Sequence, residues 1–134
     1  MKEKLCKLLE NSYAPYSNFR VAAILVCKDG REFCGVNVEN ASYGATICAE
    51  RVAILKAVSL GYRKGDFKEL HVLCADSNKI STCCMLCRQV ISEFFLEDDL
   101  VYCYSNNGDM KKYLVKELCP YPFSEDDLKW DQGL

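Results

Sequence analysis

The sequence lacks three features that would each indicate a particular class of protein. No apolar run comes near the length of about 18 residues that a membrane-spanning helix needs, so no membrane partner is expected. The first residues, Met1 to Cys6, are charged and contain no apolar signal segment. Lysine and arginine form no cluster and the formal net charge is -2, which argues against nucleic acid as a partner. A small molecule is therefore the expected partner.

Length and composition predict one intracellular domain. The chain has 134 residues, and half of them are apolar, which is enough for a single domain over residues 1–134. Its ten cysteines would suggest disulfides in a secreted protein. Without a signal segment they indicate reduced thiols and a cytoplasmic protein. The acidic residues 124–134 are predicted to form a loosely ordered tail.

Hydrophobic periodicity predicts strands that alternate with helices. The turn signal at residues 28–31 joins the first two strands as a hairpin. The alternation favours crossover connections, so the predicted fold class is α/β with a partly parallel sheet and helices on its faces. The second helix is apolar nearly all round, which predicts burial between the sheet and another layer. The predicted helices are 2–12, 48–60 and 84–95, the predicted strands are 21–27, 32–38, 70–75 and 100–104, and 110–118 is a final helix or a helix with a strand.

Two cysteine motifs carry the chemistry of the chain. Cys48 lies two residues before Glu50, and Cys84 and Cys87 form a Cys-x-x-Cys pair. Three thiolates with a nearby acid fit a catalytic zinc site, because structural zinc sites usually close with four protein ligands. Spacing permits either Cys83 or Cys84 as the ligand, and the helical register with Cys87 favours Cys84. Both motifs lie at predicted helix starts, where the helix N-terminus stabilises a thiolate.

Three motifs occur in a fixed order along the chain. They are Asn-Val-Glu-Asn-Ala-Ser-Tyr at 37–43, Cys-Ala-Glu-Arg at 48–51 and Cys-Arg-Gln at 87–89. In this order they resemble the small homotetrameric cytidine deaminases, over about residues 13–123, and zinc deaminases share the Cys-x-x-Cys and glutamate pattern. The resemblance implies a three-layer α/β/α fold with a mixed central sheet, one Zn²⁺ per subunit and a homotetramer with shared active sites. It also implies hydrolytic deamination of cytidine and 2′-deoxycytidine to uridine and 2′-deoxyuridine, with release of ammonia, in pyrimidine salvage.

The resemblance implies roles for the residues around the reacting ring. Glu50 moves a proton from the attacking water to N3 of cytosine and then to the leaving amine, while zinc activates that water to attack C4. The backbone N–H of Ala49 holds the carbonyl of the base, and the carbonyl of Thr82 faces the leaving amine. Arg51 hydrogen-bonds the thiolates and offsets their charge. For both arginines the alternative is a surface salt bridge, which is more credible for Arg88 than for Arg51.

The same resemblance implies how the nucleoside is held. Asn37 and Glu39 hydrogen-bond a ribose hydroxyl, and Phe19 lies against the nucleoside. An amide beside a carboxylate suits a hydroxyl, which both donates and accepts. Phe123 lies in a stretch that resembles the end of the family pattern, where the matching phenylalanine reaches the active site of a neighbouring subunit and stacks on the base.

Departures from the family pattern leave alternatives open. Where the family has Pro-Cys-Gly-x-Cys, residues 83–87 read Cys-Cys-Met-Leu-Cys, and Val-Gly-Ala is replaced by Val-Ala-Ala at 21–23. A nucleoside-antibiotic deaminase of the blasticidin type shares the zinc motifs, although the segment from residue 37 favours ribose. A zinc-stabilised interaction module would use the metal only to hold the fold. It needs a fourth protein ligand, for which Cys83 is the candidate, and it leaves Glu50 without a task.

The remaining histidine and cysteines are predicted to be structural. His71, the only histidine, lies within an apolar strand pattern and is more typical of a packed residue than of a ligand. The other cysteines fall in apolar positions or on helix faces and are predicted to pack as small hydrophobic residues. They are Cys6, Cys27, Cys34, Cys74, Cys103 and Cys119.

Overall fold

The chain folds into a five-stranded sheet with helices on both faces. The computed structural model describes residues 1–75 and 78–129. The strands are β1 (Val21–Cys27), β2 (Glu32–Val36), β3 (Phe67–Cys74), β4 (Leu100–Tyr104) and β5 (Met110–Leu114). The helices are α1 (Lys2–Leu8), α2 (Ala49–Ser59), α3 (Met85–Phe94) and α4 (Val115–Leu118), with single 3-10 turns at Leu9–Asn11, Tyr43–Ala45 and Glu125–Leu128.

The sheet is mixed. Its strand order is β2-β1-β3-β4-β5. The pair β3 and β4 is parallel and is joined by a crossover through α3, whereas the other neighbours are antiparallel. The predicted hairpin is confirmed as β1 and β2, because Ala22 lies opposite Val36 and Val26 opposite Glu32.

Two hydrophobic clusters on opposite faces of the sheet make the three layers. Strand residues alternate between faces, so Ala22 and Ile24 of β1 pack with Leu5 of α1, whereas Ala23 and Leu25 belong to the other cluster. That second cluster contains the inner faces of α2 and α3, with side chains such as Ala53, Ala57, Ile54, Cys87 and Ile91. The three-layer α/β/α prediction is confirmed.

Several predicted boundaries shift by a few residues. The helix predicted over 2–12 ends at Leu8 and continues as a 3-10 turn, and the strand predicted over 70–75 already begins at Phe67. The segment 110–118 is a strand, β5, followed by the single turn α4, because residues 110–114 pair with the whole of β4. In the predicted tail, Glu125–Leu128 form a 3-10 turn, and residues 130–134 lie outside the described residues.

The outer face of α2 is partly open, contrary to the prediction that this helix is covered on all sides. Ala53 and Ala57 are fully buried against the sheet, but Leu55 is 49% exposed and Val52 and Val58 are half-buried. The apolar periodicity was correct about the inner face. The layer expected over the outer face is not supplied by the described residues of this single chain.

The helices are short. The longest of those described, α2, has 11 residues. In the ranges 1–75 and 78–129, no helix combines the length and the apolar character needed to cross a bilayer.

A close approach at Gly35 sets the start of α2 against the sheet. A Cβ atom at this position would lie 2.3 Å from the carbonyl oxygen of Ala49 and 2.7 Å from the backbone nitrogen of Ala53. Both contacts are with backbone, which cannot move aside as a side chain could. The glycine therefore lets the first turn of α2, with Cys48 and Glu50, lie directly on β2.

Candidate active site and metal centre

Three cysteine side chains meet where two helices begin. Cys48 is the N-cap residue of α2, Cys84 is the N-cap residue of α3, and Cys87 lies in the first turn of α3. Their Sγ atoms all lie within 4.8 Å of one another, and those of Cys48 and Cys84 are 3.7 Å apart. In the part of the chain that the structure describes, this is the group of histidine, cysteine and acidic side chains that could hold a metal ion.

The protonation of this thiol cluster favours a bound cation. Hydrogen bonds from the Cys87 thiol and from Arg51 lower the pKa of Cys48 to about 5. The same contact with Cys48, together with burial, raises the pKa of Cys87 well above its ordinary value. Without a cation, Cys48 is the thiol that ionises, and Cys87 keeps its proton. A divalent cation removes this conflict, because metal ligation deprotonates coordinating thiols.

The cluster fits zinc. A tetrahedral ion with Zn–S distances of about 2.3 Å needs sulfur atoms about 3.8 Å apart, close to the observed Cys48–Cys84 separation of 3.7 Å. The group contains three ligands, and Glu50 is not among them. Three protein ligands leave the fourth position open, as catalytic zinc sites do.

Arg51 lies against the cluster. Its Nη2 donates to Cys48 Sγ over 3.4 Å, and Cys48 and Cys87 both raise the pKa of the guanidinium, Cys48 by the larger amount. Its Nε is buried and makes no hydrogen bond with any described residue, so the thiols are the main compensation for burying this cation. A cation here offsets the excess negative charge of three thiolates on one zinc ion.

Glu50 is a buried acid, 4% exposed, in the first turn of α2. Burial raises the pKa of its carboxyl, and the neighbouring Cys48 raises it further. A carboxyl whose pKa is shifted toward neutrality can both accept and donate a proton near neutral pH. The helix N-terminus alone does not explain an acid held in this buried position.

One cavity brings most of the predicted site residues together. It has a volume of about 210 Å³ and opens onto the thiol cluster. Its lining comprises Ser17, Phe19, Val21, Asn37, Glu39, Thr46, Cys48, Glu50, Val72, Cys74, Ser81, Thr82 and Cys84. Cys87 and Ala49 are fully buried next to it, and Ala49, as the first residue of α2, has an N–H without an intrahelical acceptor. Phe123 is not brought to this cavity and lies 57% exposed.

The amide of Asn37 is fixed by backbone on both sides. Its Nδ2 donates to the carbonyl of Phe19 over 2.7 Å, and its Oδ1 accepts from the N–H of Val21 over 3.0 Å. The hydroxyl of Ser12 also donates to Oδ1. The oxygen is thus occupied twice, while no described residue accepts the second hydrogen on Nδ2. Asn37 therefore meets a ligand as a donor.

Glu39 has the opposite polarity. Its Oε1 accepts from the backbone N–H groups of Tyr16 and Ser17 over 2.9 and 3.1 Å, and its Oε2 accepts from the Ser17 hydroxyl. The Ser17 hydroxyl and these N–H groups lower the pKa of the carboxyl, so it stays ionised. An ionised carboxylate only accepts.

The loop before α3 is held by Arg88, which hydrogen-bonds neutral acceptors in place of the surface salt bridge that the sequence also allowed. Its Nε donates to the Cys83 carbonyl over 2.8 Å and its Nη2 to Thr82 Oγ1 over 2.6 Å. Its Nη1 donates to the Leu118 carbonyl over 3.1 Å. These acceptors are neutral, and together they fix the backbone that carries Cys84. Nothing in the local sequence indicates the Leu118 acceptor, 30 residues away.

Cys83 lies apart from the three-thiol cluster. It is buried in the hydrophobic cluster that also contains Cys103, and its thiol interacts with Cys103 and with Glu50, which raises its pKa. The metal-binding group contains Cys84 instead. The closed four-thiolate alternative thus lacks its fourth ligand in this arrangement.

His71 and most of the cysteines outside the metal centre are packed residues, as predicted. His71 is buried, stacks on Tyr102 with a ring separation of 4.5 Å, and hydrogen-bonds Tyr104 and Glu69. Cys27, Cys74 and Cys103 are buried and Cys34 and Cys119 half-buried, whereas Cys6 is exposed on α1, contrary to prediction. Leu5, next to it, takes the inward position.

Sequence reasoning missed several residues of the cavity. Ser17, Thr46 and Ser81 line it, as do Val72 and Cys74 at the end of β3. Ser17 follows a proline-containing segment that indicates only a helix break. Its relation to Glu39, 22 residues away, has no local signal.

These features define a class of protein, a zinc enzyme with an α/β/α fold and an open coordination position beside a buried acid. Comparison with known proteins narrows the class. The family profile of the cytidine and deoxycytidylate deaminase zinc-binding region matches residues 1–104. The chain belongs to this family, and zinc is its cofactor.

Individual relatives extend the match beyond the profile. The cytidine deaminase of Halalkalibacterium halodurans is 44% identical over 119 residues, which cover 89% of this chain and 88% of the relative. The cytidine deaminase of Sporosarcina psychrophila is 43% identical over 92% of this chain and 89% of its own length. The crystal structure of cytidine deaminase from Burkholderia pseudomallei superimposes with a TM-score of 0.86 at 40% identity, covering 90% of this chain and 94% of that one.

Proposed function

We propose that this protein is a cytidine deaminase, which converts cytidine and 2′-deoxycytidine with water to uridine and 2′-deoxyuridine and ammonia. One observation carries the proposal. A single cavity joins a buried acid and two thiols of the metal centre, Glu50, Cys48 and Cys84, to a hydroxyl-binding pair, Asn37 and Glu39. The named relatives are cytidine deaminases. We also propose that the protein acts in pyrimidine salvage in the cytoplasm.

The chain's own groups divide the chemical work. Cys48, Cys84 and Cys87 hold the zinc ion, which, when bound, activates water as a nucleophile. Glu50 accepts one proton of the attacking water and delivers it to N3 of the ring. It then takes the remaining proton from the new hydroxyl on C4 and delivers it to the departing amine, so that uridine keeps the N3 proton and ammonia leaves. Because Glu50 is buried and its pKa is raised, it suits both directions of proton transfer. The N–H of Ala49 holds the carbonyl of the base.

Two further contacts complete the environment of the base. The backbone carbonyl of Thr82 accepts from the leaving amine, and Arg88 fixes this loop through Thr82 Oγ1 and the Cys83 carbonyl. The Phe19 ring lies against the nucleoside at the cavity wall.

The polarity of Asn37 and Glu39 supports a nucleoside as substrate. A donor beside an acceptor matches a single hydroxyl, which donates and accepts at once. Such a pair disfavours ligands without the hydroxyl, since the donor of the buried Asn37 would be left unpaired. One sugar hydroxyl satisfies it, which is consistent with both ribose and deoxyribose substrates.

The proposed function is tested by an ultraviolet assay with cytidine, 2′-deoxycytidine, cytosine and blasticidin S, with zinc content measured on the same sample. We expect turnover of both nucleosides, and slow or no turnover of the free base. Turnover of blasticidin S without cytidine would establish the antibiotic-deaminase alternative. Stoichiometric zinc without turnover of any substrate would support the interaction-module alternative.

Asn37→Ala is expected to raise KM for cytidine more than it lowers kcat, because the substrate loses a donor that binds the sugar in ground and transition states alike. The structure adds a second effect. Removing the amide leaves the Phe19 carbonyl and the Val21 N–H without their partner, which costs about 1–3 kcal/mol of stability for a buried group. Steady-state kinetics with thermal unfolding separates the two effects. Equal catalytic efficiency on cytosine and cytidine would contradict the sugar assignment.

We also propose that the protein is a homotetramer with shared active sites. The aromatic ring of Phe123 is 57% exposed, Tyr121 is 96% exposed, and the outer face of α2 presents half-exposed Leu55. Gln89 Nε2 donates to the Phe123 carbonyl over 2.7 Å, so the backbone at this exposed ring is fixed. A ring held outward in this way can complete a neighbouring subunit's cavity.

Phe123→Ala is expected to raise KM for cytidine because a base-stacking ring is lost, at roughly 1 kcal/mol or about fivefold on the scale of aromatic pairs. Kinetics and sedimentation velocity test this on one sample. The matched control is Phe123→Tyr, which keeps an aromatic ring at this position and should leave KM for cytidine near the wild-type value. A fully active monomer would contradict both the shared site and the tetramer.

A further inference from the structure

The carboxylate of Glu39 is held almost entirely by one short segment. Tyr16 and Ser17 supply three hydrogen bonds to it, two from backbone N–H groups and one from the Ser17 hydroxyl. The segment lies 22 to 23 residues before Glu39 in sequence. Ser17 lines the same cavity as Glu39.

The Ser17 hydroxyl is oriented by a second contact. The backbone N–H of Phe19 donates to Ser17 Oγ over 3.0 Å, so the oxygen serves as an acceptor there. Its one proton is then directed to Glu39 Oε2. The chain returns to Ser17 in this way because Asn18 has a φ of 59°, a left-handed conformation that asparagine tolerates better than most residues.

These contacts limit what the carboxylate can do. An ionised carboxylate has about four acceptor positions, and three donors from the segment occupy three of them. No described residue donates to the remaining position, and Glu39 itself lines the cavity of the thiol cluster. The two backbone N–H groups hold Oε1, and the Ser17 hydroxyl is the side-chain contact that fixes Oε2 and with it the orientation of the carboxylate.

We propose that Ser17 is a positioning residue, which holds Glu39 so that its one available lone pair accepts a hydrogen bond from a sugar hydroxyl of the nucleoside. This inference rests on the proposed function. Ser17 acts through Glu39 and has no part in the proton transfers of Glu50. Its effect therefore belongs to nucleoside binding and depends on the hydroxyl that Glu39 accepts.

The test compares Ser17→Ala with the wild type on cytidine and on its 2′-, 3′- and 5′-deoxy analogues, each of which lacks one sugar hydroxyl. Glu39→Gln is measured on the same four nucleosides. The analogue on which this substitution has no effect is the one that lacks the hydroxyl bound by Glu39. On cytidine we expect Ser17→Ala to reduce kcat/KM about tenfold, mainly through KM, the scale of one hydrogen bond to a charged group. On the identified analogue the effect of Ser17→Ala should also disappear.

Three controls separate positioning from a general loss of structure. Ser17→Thr keeps the hydroxyl and should restore most of the lost kcat/KM. Ser59→Ala, a serine at the end of α2 whose hydroxyl donates to the Lys56 carbonyl, should leave all four substrates unaffected. Ser17→Ala added to Glu39→Gln should cause no further loss, since the two residues act as one unit.

Several outcomes would overturn the inference. They are an unchanged kcat/KM on cytidine, an equal loss on all four nucleosides, or a further loss in the Glu39→Gln background, which would indicate that Ser17 contacts the substrate itself. If the wild type turned over none of the nucleosides, the proposed function would be overturned together with this inference. An active wild type with an equal loss on all four overturns this inference alone.

Discussion

Glu50→Gln is expected to retain zinc and the fold but to lose cytidine deamination by several orders of magnitude. General acid–base catalysis alone contributes roughly 10²–10⁴-fold, and the amide can neither accept the proton of water nor return it to the ring. Glutamine has nearly the same shape as glutamate and occupies the same buried volume. The substitution also removes a carboxyl that is costly to bury, so stability should be unchanged or raised.

The matched control for this variant is Glu69→Gln. Glu69 hydrogen-bonds His71 over 3.0 Å and lies outside the lining of the cavity, so its amide variant should keep near-normal turnover. Zinc content, thermal unfolding and kcat on cytidine are measured for both variants. Near-normal turnover in Glu50→Gln would remove this residue from the mechanism, and loss of zinc in it would make the carboxylate a ligand after all.

The metal centre could be predicted because each of its parts is encoded locally. Cys48 and Cys84 each stand immediately before a helical pattern, and both are N-cap residues in the structure. The Cys-x-x-Cys spacing puts Cys84 and Cys87 on one turn of α3. The alternation of strands and helices then brings the starts of α2 and α3 to the same edge of the sheet. The fold class followed from the same alternation.

The contacts that position the site could not be predicted, because they join residues far apart in the chain. Arg88 reaches the Leu118 carbonyl and Ser17 reaches Glu39, and neither pair has a periodic or compositional signal. Exposure of Leu55 on α2 was missed for a related reason. The apolar pattern indicates that a helix face packs against something. It does not indicate whether the packing partner belongs to the same chain.

Cys84→Ser is expected to reduce zinc from about one ion per chain to a small fraction, and activity with it. Serine supplies a weak neutral ligand in place of a thiolate, which zinc strongly prefers. The Cys84 sulfur lies 3.7 Å from that of Cys48 and lines the cavity, so its loss opens the centre directly. Zinc content by metal analysis and turnover of cytidine check the prediction.

Cys83→Ser makes the same chemical change one residue earlier and is the matched control. The Cys83 side chain is 4% exposed and belongs to the hydrophobic cluster rather than to the thiol group, so zinc should remain about stoichiometric. Stability should fall modestly, because a hydroxyl is then buried beside Cys103. Zinc kept in Cys84→Ser but lost in Cys83→Ser would reverse the assignment of the ligand, and zinc weakened in both would revive the closed four-thiolate site.

Cys83→Pro extends the same comparison to the backbone. Position 83 lies just before the N-cap of α3, where proline's fixed φ is tolerated. The contact that holds this loop survives the change, since Arg88 Nε bonds the carbonyl of residue 83, which proline retains. Zinc and activity should therefore persist in Cys83→Pro, and the melting temperature should rise because proline restricts the unfolded chain. If Cys83→Pro lost zinc while Cys83→Ser kept it, the backbone conformation at position 83 would be what places Cys84 at the metal.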